Sequence, residues 1–512
     1  MSGNMRDKTK LLIILIAIFC VSFVFLKMVY VGADPLGRSI VIVWCSERLE
    51  INATDVDGCY LAINDFGVVV EQAIALSAFL FVVVGTALKM EWRVGLAGLA
   101  IVTLILSDIV PPKVLIEKAV SWDLILFLVG SMTLAGILRE LGVFKHLAIQ
   151  ILRIGKNNSY VLVSLITLIS FTTAAVLGEV TSIIYVIMLI FEIARILKID
   201  VVPLIILSVL ATNTGSAAMP IGNPIGVYIF FAAKLSMSTF IKYSLPLATI
   251  NLIILLTLFY TTSKKYMREI SNSLKNMRER VDTYLTSYYV TIDAERRKEL
   301  LLGNLTLLLF ILTIMLNDLI ANTLTQIFET PVDPHSLLAF IPYIFILITF
   351  LTIPVENLPK YIERSVEWSS LIFFIFLFML SYSLSYTGVM AKLAYIFSAL
   401  GREELLIISI MLLASALLSS ILDNLSVIVT FTPIALLLTT LRIAPSSIYF
   451  ALLYGGVFGG NYTPIGSTAN IIAVSMAEKR KIRTQWIQWL KTSIPLTTTQ
   501  LLISLIWVYY LR

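Results

Sequence analysis

A Pro-Ile-Gly triplet stands twice in the middle of an apolar run, at Pro220-Ile221-Gly222 and again at Pro464-Ile465-Gly466. Small polar residues flank both copies: Asn213, Thr214, Gly215 and Asn223 around the first, Asn461, Thr463, Ser467 and Thr468 around the second. Proline and glycine interrupt a helix and release main-chain amides and carbonyls from its ladder. Lipid satisfies none of these groups, so an interrupted span persists only where the break faces protein, water or a bound solute. Paired interruptions in the two halves of one chain are the best sequence pointer to a transporter's binding site.

Composition puts the chain in a bilayer. Hydrophobic residues make up 58% of 512 and charged residues 14%. Soluble domains need far less apolar surface, and stretches near the ~20 residues that span a membrane recur along the chain. The net charge of +6 is no nucleic-acid signal, because the basic residues gather between spans, as in cytoplasmic loops. Three cysteines and two histidines show no metal-ligand spacing. H-E-x-x-H, G-x-S-x-G and Walker A patterns are missing, which argues against an enzyme and against direct ATP hydrolysis.

The first apolar run, 11–31, follows Arg6, Lys8 and Lys10. It is long for a signal peptide and lacks a small-x-small cleavage site, so it reads as an uncleaved span. Residues 31–71 hold seven acids and two arginines, the balance of a non-cytoplasmic loop. Cys45 and Cys59 share this stretch, on the side where disulfides persist; a pair of free thiols is the alternative. Asn52-Ala53-Thr54 is a short glycosylation pattern, meaningful only in a host with that machinery.

Further spans are expected at 73–88, 94–110 and 122–138, with an amphipathic interfacial segment at 143–154. A long stretch, 159–197, is broken at Gly178-Glu179; 202–233 is broken at the first Pro-Ile-Gly; 240–260 closes the half. A polar linker follows at 261–299, with nine Lys or Arg. The second half runs through 301–320, 338–354, 368–386, an amphipathic 390–400, 405–438 broken at Asp423-Asn424, 448–477 broken at the second triplet, and 493–511. The domain reading is therefore 1–71 for a first span and outer loop, 72–260 for one transport repeat, 261–300 for a cytoplasmic linker and 301–512 for a second repeat.

The halves keep register. Trp122 and Trp368 stand 246 apart, Leu177-Gly-Glu-Val-Thr181 and Leu422-Asp-Asn-Leu-Ser426 stand 245 apart, and Gly222 and Gly466 stand 244 apart. That constancy indicates a duplicated unit. With the N-terminus in the cytoplasm, every strongly basic segment falls on one side, the C-terminus falls outside, and the second repeat runs inverted to the first. The expected fold is an all-α polytopic membrane protein of about eleven crossings, made of two inverted repeats with broken spans.

Leu422-Asp-Asn-Leu-Ser426 and the run from Gly459 to Asn470 resemble the ion transporter superfamily. The branch is that of arsenite efflux permeases, NhaD-type sodium/proton antiporters and the melanosomal P protein, with citrate and dicarboxylate carriers as more distant relatives. The resemblance implies re-entrant hairpins, a scaffold and a transport subdomain, elevator-type motion and a homodimer in the bilayer. The resemblance to arsenite permeases leaves room for an external ATPase partner, which nothing in the sequence indicates. Carried over, one half-site is Thr181, Ser182, Asn213, Thr214, Gly215 and Asn223; the other is Asn424, Ser426, Asn461, Thr463, Ser467 and Thr468. Hydroxyls and amides beside unwound backbone can replace water around a small ion, and helix N-termini favour an anion. Such residues also glue membrane helices together, which is the competing reading.

The chain departs from the family pattern in the first hairpin, where Gly178-Glu179 stands for Asp-Asn. Glu179 and Asp423 are the candidate coupling carboxylates, since acids inside a membrane are costly to keep. A wet hairpin tip or a helix cap is the plainer role. Asp108 and Asp318 sit near span ends and read as structural. The functional expectation is secondary active transport of a small anion, of the arsenite or carboxylate type, coupled to H⁺ or Na⁺ and using no other cofactor. A Na⁺/H⁺ antiporter and a channel-like conduit are the alternatives.

Overall fold

The computed structural model describes the whole chain except residues 1, 33, 50–55, 278, 280, 281, 284, 288–293, 351–354, 401–402, 423, 483–485 and 511–512. Every regular element among the described residues is helical. In chain order the α-helices are α1 (Ser2–Met28), α2 (Pro35–Leu49), α3 (Val56–Asn64), α4 (Phe66–Leu88), α5 (Arg93–Leu106), a short α6 (Pro112–Val114), α7 (Trp122–Glu140), α8 (Val143–Gly155), α9 (Ser159–Leu177), α10 (Glu179–Leu197), α11 (Val202–Ser216), α12 (Pro224–Ala232) and α13 (Met237–Thr262). Then come α14 (Lys264–Asn276), α15 (Ala294–Met315), α16 (Asn317–Phe328), α17 (Pro334–Thr349), α18 (Leu358–Ser365), α19 (Trp368–Thr387), α20 (Val389–Leu400), α21 (Glu404–Ser419), α22 (Asn424–Thr440), α23 (Ile448–Gly459), α24 (Thr468–Lys479) and α25 (Trp486–Tyr510).

Among the described residues, seven helices are long and apolar enough to cross a membrane, and nine shorter apolar helices accompany them. Leu301, Leu305, Leu308 and Leu312 on α15 are 72%, 47%, 54% and 43% exposed. In water such a stripe would drive association; in a bilayer it is the lipid face. The chain is a polytopic all-α membrane protein.

The helix boundaries have local causes. Asn158 caps α9 by accepting from the Tyr160 amide at 2.8 Å, and Ser236 caps α13 through the Thr239 amide at 3.1 Å. Asp333 caps α17 by accepting from the Ser336 amide at 2.9 Å, with Pro334 at the first helical position, where its missing N–H costs nothing. Asp318 accepts from the Met237 and Ser238 amides at 3.2 and 2.8 Å, which is a capping role.

The chain divides into two compact units. One holds residues 1–121, 368–452 and 508–512; the other holds 122–367 and 453–507.

In the first unit, the acidic stretch expected as an open loop contains α2 and α3. The charge balance hid an apolar stripe. Ile40, Val41, Trp44 and Cys45 on α2 bury against Val31, Ile63 and Ala391. Cys45 and Cys59 form a disulfide that ties α2 to α3. Trp44 Nε1 donates to the Tyr386 carbonyl at 3.0 Å, and the Arg48 guanidinium packs over the Trp44 and Tyr386 rings while it pairs with Glu71. The buried Lys392 ammonium donates to the Leu26 carbonyl at 3.0 Å, in the last turn of α1.

In the second unit, α9 and α10 form a hairpin about Gly178, whose φ is +85°; α11 packs on both. The first part of the linker folds as α14. Its Met267, Ile270 and Leu274, one face of a helix, are buried, and α14 packs on α9, α10 and α13. Residues Asn317–Phe328, at and beyond the end of the 301–320 span, form α16.

Candidate functional site

Both Pro-Ile-Gly triplets break a helix, and the residue after each triplet caps the next helix. Asn223 Oδ1 accepts from the Gly226 amide at 2.5 Å at the start of α12. Ser467 Oγ accepts from the Asn470 amide at 3.3 Å at the start of α24. The glycines are required by close approach. A Cβ on Gly222 would lie 2.3 Å from the Ser216 carbonyl oxygen, and one on Gly466 would lie 2.5 Å from the Gly460 carbonyl oxygen. In both breaks the chain folds back against its own backbone six residues earlier.

The two breaks belong to the second unit, and one residue links them. Asn213, in the last turn of α11, is fully buried. Its Nδ2 donates to Asn461 Oδ1 at 2.7 Å and to Asn470 Oδ1 at 2.9 Å. Its Oδ1 accepts from Ser467 Oγ at 3.3 Å, and that hydroxyl also lies 2.7 Å from Asn470 Oδ1. Asn470 Nδ2 donates to the Gly460 and Thr463 carbonyls at 2.8 and 2.7 Å, which tethers the unwound strand to α24. Asn461 Nδ2 donates to Gln500 Oε1 at 3.2 Å, and Gln500 Nε2 donates to Thr214 Oγ1 at 2.8 Å. Because Thr214 follows Asn213, these bonds close a ring. Trp489 Nε1 donates to the Asn461 carbonyl at 3.2 Å.

A second arm leads back to the first hairpin. Asn223 Nδ2 donates to the Ser216 carbonyl and to Ser216 Oγ, both at 2.9 Å. Ser216 Oγ lies 2.9 Å from the Asn213 carbonyl and 3.5 Å from Glu179 Oε2. Glu179 opens α10 and is 5% exposed. Beside it, Ser182 Oγ lies 2.5 Å from Thr173 Oγ1, closing the hairpin between α9 and α10. Gly215 lets α11 pack directly on the Phe171 backbone of α9.

The sequence-derived residues therefore separate. Asn213, Thr214, Asn461 and Ser467 are brought together, with Asn223 and Glu179 joined to them through Ser216. Thr463 contributes its carbonyl. Thr181 and Thr468 are half-buried on the first turns of α10 and α24. Asn424 and Ser426 belong to the first unit, where Asn424 opens α22 and accepts from Ser419 Oγ at 2.5 Å. Asp423 lies outside the described residues. Asn424 and Glu179 both occupy the first position of a return helix, as the 245-residue offset requires.

Three members were not anticipated: Ser216, Asn470 and Gln500. Asn470 had a signal, since an amide three residues after a capping serine is placed to fold back on the cap, as in a capping box. Gln500 is an amide in an otherwise apolar and hydroxyl-bearing stretch of the last span, itself a reason to look for a partner.

Chemically, the network is a buried array of amides, hydroxyls, loosened main-chain carbonyls and one carboxylate. None of its hydrogen-bonded members described above is a Lys or Arg. The amides already satisfy one another, so a solute entering here must replace some of these bonds with its own.

A polytopic helical protein with a buried polar network between two interrupted spans belongs to the class of membrane transporters. The profile of the citrate transporter family matches residues 79–435, more than two thirds of the chain. The chain belongs to this family. An uncharacterized transporter of Mycobacterium tuberculosis is 26% identical over 397 residues, covering 77% of this chain and 87% of the relative. The P protein of Homo sapiens is 24% identical over 436 residues, covering 74% of this chain and 52% of that protein. Among solved structures, the Alcanivorax borkumensis YdaH transporter superposes with a TM-score of 0.51 at 13% identity, covering 77% of this chain and 86% of that one, a likeness of fold.

Proposed function

We propose that this protein is a secondary active transporter that carries a small anion, inorganic or organic, across the cell membrane at the expense of an H⁺ or Na⁺ gradient. The observation that carries the reading is the fully buried polar ring of Asn213, Asn461, Gln500 and Thr214, placed where two helices break. Buried amides at helix breaks can exchange their mutual bonds for bonds to a small solute, at little net cost if the solute satisfies them. The proposed orientation has the N-terminus in the cytoplasm and the C-terminus outside, with the two repeats inverted, and the working form is a homodimer.

A Na⁺/H⁺ antiporter is the second reading, and one feature favours it. The network offers carbonyl and amide oxygens and the Glu179 carboxylate, with no cationic side chain among its bonded members. That donor set suits a hard cation. An anionic substrate here draws its positive partners from the N-termini of α12 and α24 or from a bound Na⁺.

The test is uptake into proteoliposomes of citrate, a dicarboxylate or arsenite, with a Na⁺ or a pH gradient imposed separately. Saturable accumulation above equilibrium that collapses with the gradient supports the anion carrier. Na⁺-driven proton movement without any of these anions selects the antiporter. Flux that never runs uphill overturns both and leaves a conduit.

A further inference from the structure

A cavity of about 300 Å³ lies away from the polar network, between α8, α9 and α15. That is at the lower end of the usual range for small-molecule sites. Its walls are apolar, with Gln150 on α8 and Thr172 and Thr173 on α9 among the few polar side chains. Along α9 it extends from Leu165 to Leu177, about 18 Å at 1.5 Å per residue, close to the roughly 15 Å hydrocarbon depth of one leaflet. Of its walls, Ile154 and Leu168 are 61% and 46% exposed and Thr172 is exposed as well, so the cavity opens among mostly apolar side chains.

The helix beside the cavity and its flanks are basic. Residues 141–158 contain Lys145, Arg153 and Lys156 and no acid. Lys156 pairs with Asp282 at 2.5 Å. Arg153 is exposed and stands next to Ile154, a wall residue. An apolar slot of one-leaflet depth, next to a basic amphipathic helix, matches both parts of an amphiphile with a negative head.

We propose that this groove holds one acyl chain of an anionic phospholipid, with its headgroup phosphate at the basic face of α8. The chain lies along the last turns of α9, directly before Gly178. Thr173 on this wall also bonds Ser182 across the hairpin, so the bound lipid braces the helix that carries the break.

The test uses the full-length protein in detergent, titrated separately with phosphatidylglycerol and phosphatidylcholine and read by native mass spectrometry. Wild type should retain one phosphatidylglycerol with a preference over phosphatidylcholine of about five-fold, the factor that one basic residue near an anionic surface supplies. Thr172→Trp, which fills the slot, should lose the retained lipid. Arg153→Gln, which leaves the apolar walls intact, should keep a lipid but lose the preference. Equal retention of the two lipids by wild type overturns the proposal. So does unchanged phosphatidylglycerol retention in Thr172→Trp, including the case in which that variant instead dissociates a dimer and the slot is filled by a second copy. If Thr172→Trp does not fold, an unchanged preference in Arg153→Gln is sufficient to reject the proposal.

Discussion

The two Pro-Ile-Gly breaks have one backbone plan and two wiring schemes. At the first, Asn223 spends its amide locally, on Ser216 and on the Gly226 amide. At the second, the cap is the smaller Ser467, and the amides beside it reach outward, Asn470 to the unwound strand and Asn461 to Gln500. The long-range amides also hold different places. Asn213 stands inside the last turn of α11, whereas Asn461 stands within the break, after α23 has ended. Their spacing is 248 residues, four more than the spacing of the triplets. The turn that opens the helix is thus the same in both breaks, and the side chains around it are bonded differently. The cap of the first break bonds locally, whereas the amides of the second reach to Asn213 and Gln500.

The sharpest way to break this comparison is to truncate one amide in each arm. Asn213→Ala leaves the buried Asn461 Oδ1 without its Asn213 donor and takes one of two partners from Asn470 Oδ1 and from Ser467 Oγ, which should cost roughly 2–4 kcal/mol, about 1–3 for the orphaned acceptor and about 1 for the other bonds lost. It should also reduce transport more than ten-fold. Asn223→Ala loses a local cap and should cost less, about 1–2 kcal/mol. Thermal unfolding in detergent and proteoliposome uptake measure both. Equal losses in the two variants would mean that the wiring difference carries no energetic weight.

The shared backbone plan makes a matched prediction. Gly222→Ala and Gly466→Ala should destabilise alike, by about 1–3 kcal/mol each, because the obstructing atom is a main-chain carbonyl in both and cannot rotate away. A large inequality in unfolding temperature would show that only one of the turns is rigid.

The hairpins supply the third contrast. Glu179→Gln keeps the geometry at Ser216 and removes a charge, so it should preserve substrate counterflow while weakening dependence on the H⁺ or Na⁺ gradient. Asp423→Asn is its counterpart in the second repeat. Full coupling in both variants would make these carboxylates structural.

The smallest effect belongs to a cap outside the breaks, which serves as a reference for Asn223 and Ser467. Burial alone would raise the carboxyl pKa of Asp333, but hydrogen bonds from the Ser336 amide and hydroxyl, with help from His335, outweigh it and hold the pKa below the ordinary carboxylate value. A depressed folded pKa means stability that is present above about pH 4 and lost as the pH falls through the folded value. Asp333→Ala should cost about 0.5–2 kcal/mol at neutral pH, and the difference from wild type should shrink in acid. A pH-independent difference would assign the effect to packing.

Much of the architecture was legible because its signals are local. Trp122 and Trp368 each open a helix, and both triplets fall between helices. The breaks could be read because proline and glycine act within a residue or two of where they stand. The helices of 31–71 were obscured because net charge reports which side of a membrane a segment favours, not whether it is ordered. There the folding signal was the stripe of Ile40, Val41, Trp44 and Cys45. The site was half legible. Motif residues pointed to Asn213, Asn461 and Ser467, but nothing local ties Gln500 to Thr214 across 286 residues. Only tertiary structure pairs them.

The reach of Asn213 also bears on how the protein is made. Its partner at Asn461 is synthesised 248 residues later, an interval of roughly 12 to 50 s at translation rates of about 5–20 residues per second. For that time the first repeat carries a finished helix whose terminal amide has no native acceptor. A stretch added to the linker after α14 would prolong this exposure. The tempo of synthesis, and whatever shields a polar group at a half-built membrane site, are therefore constraints on this chain that its finished hydrogen bonds conceal.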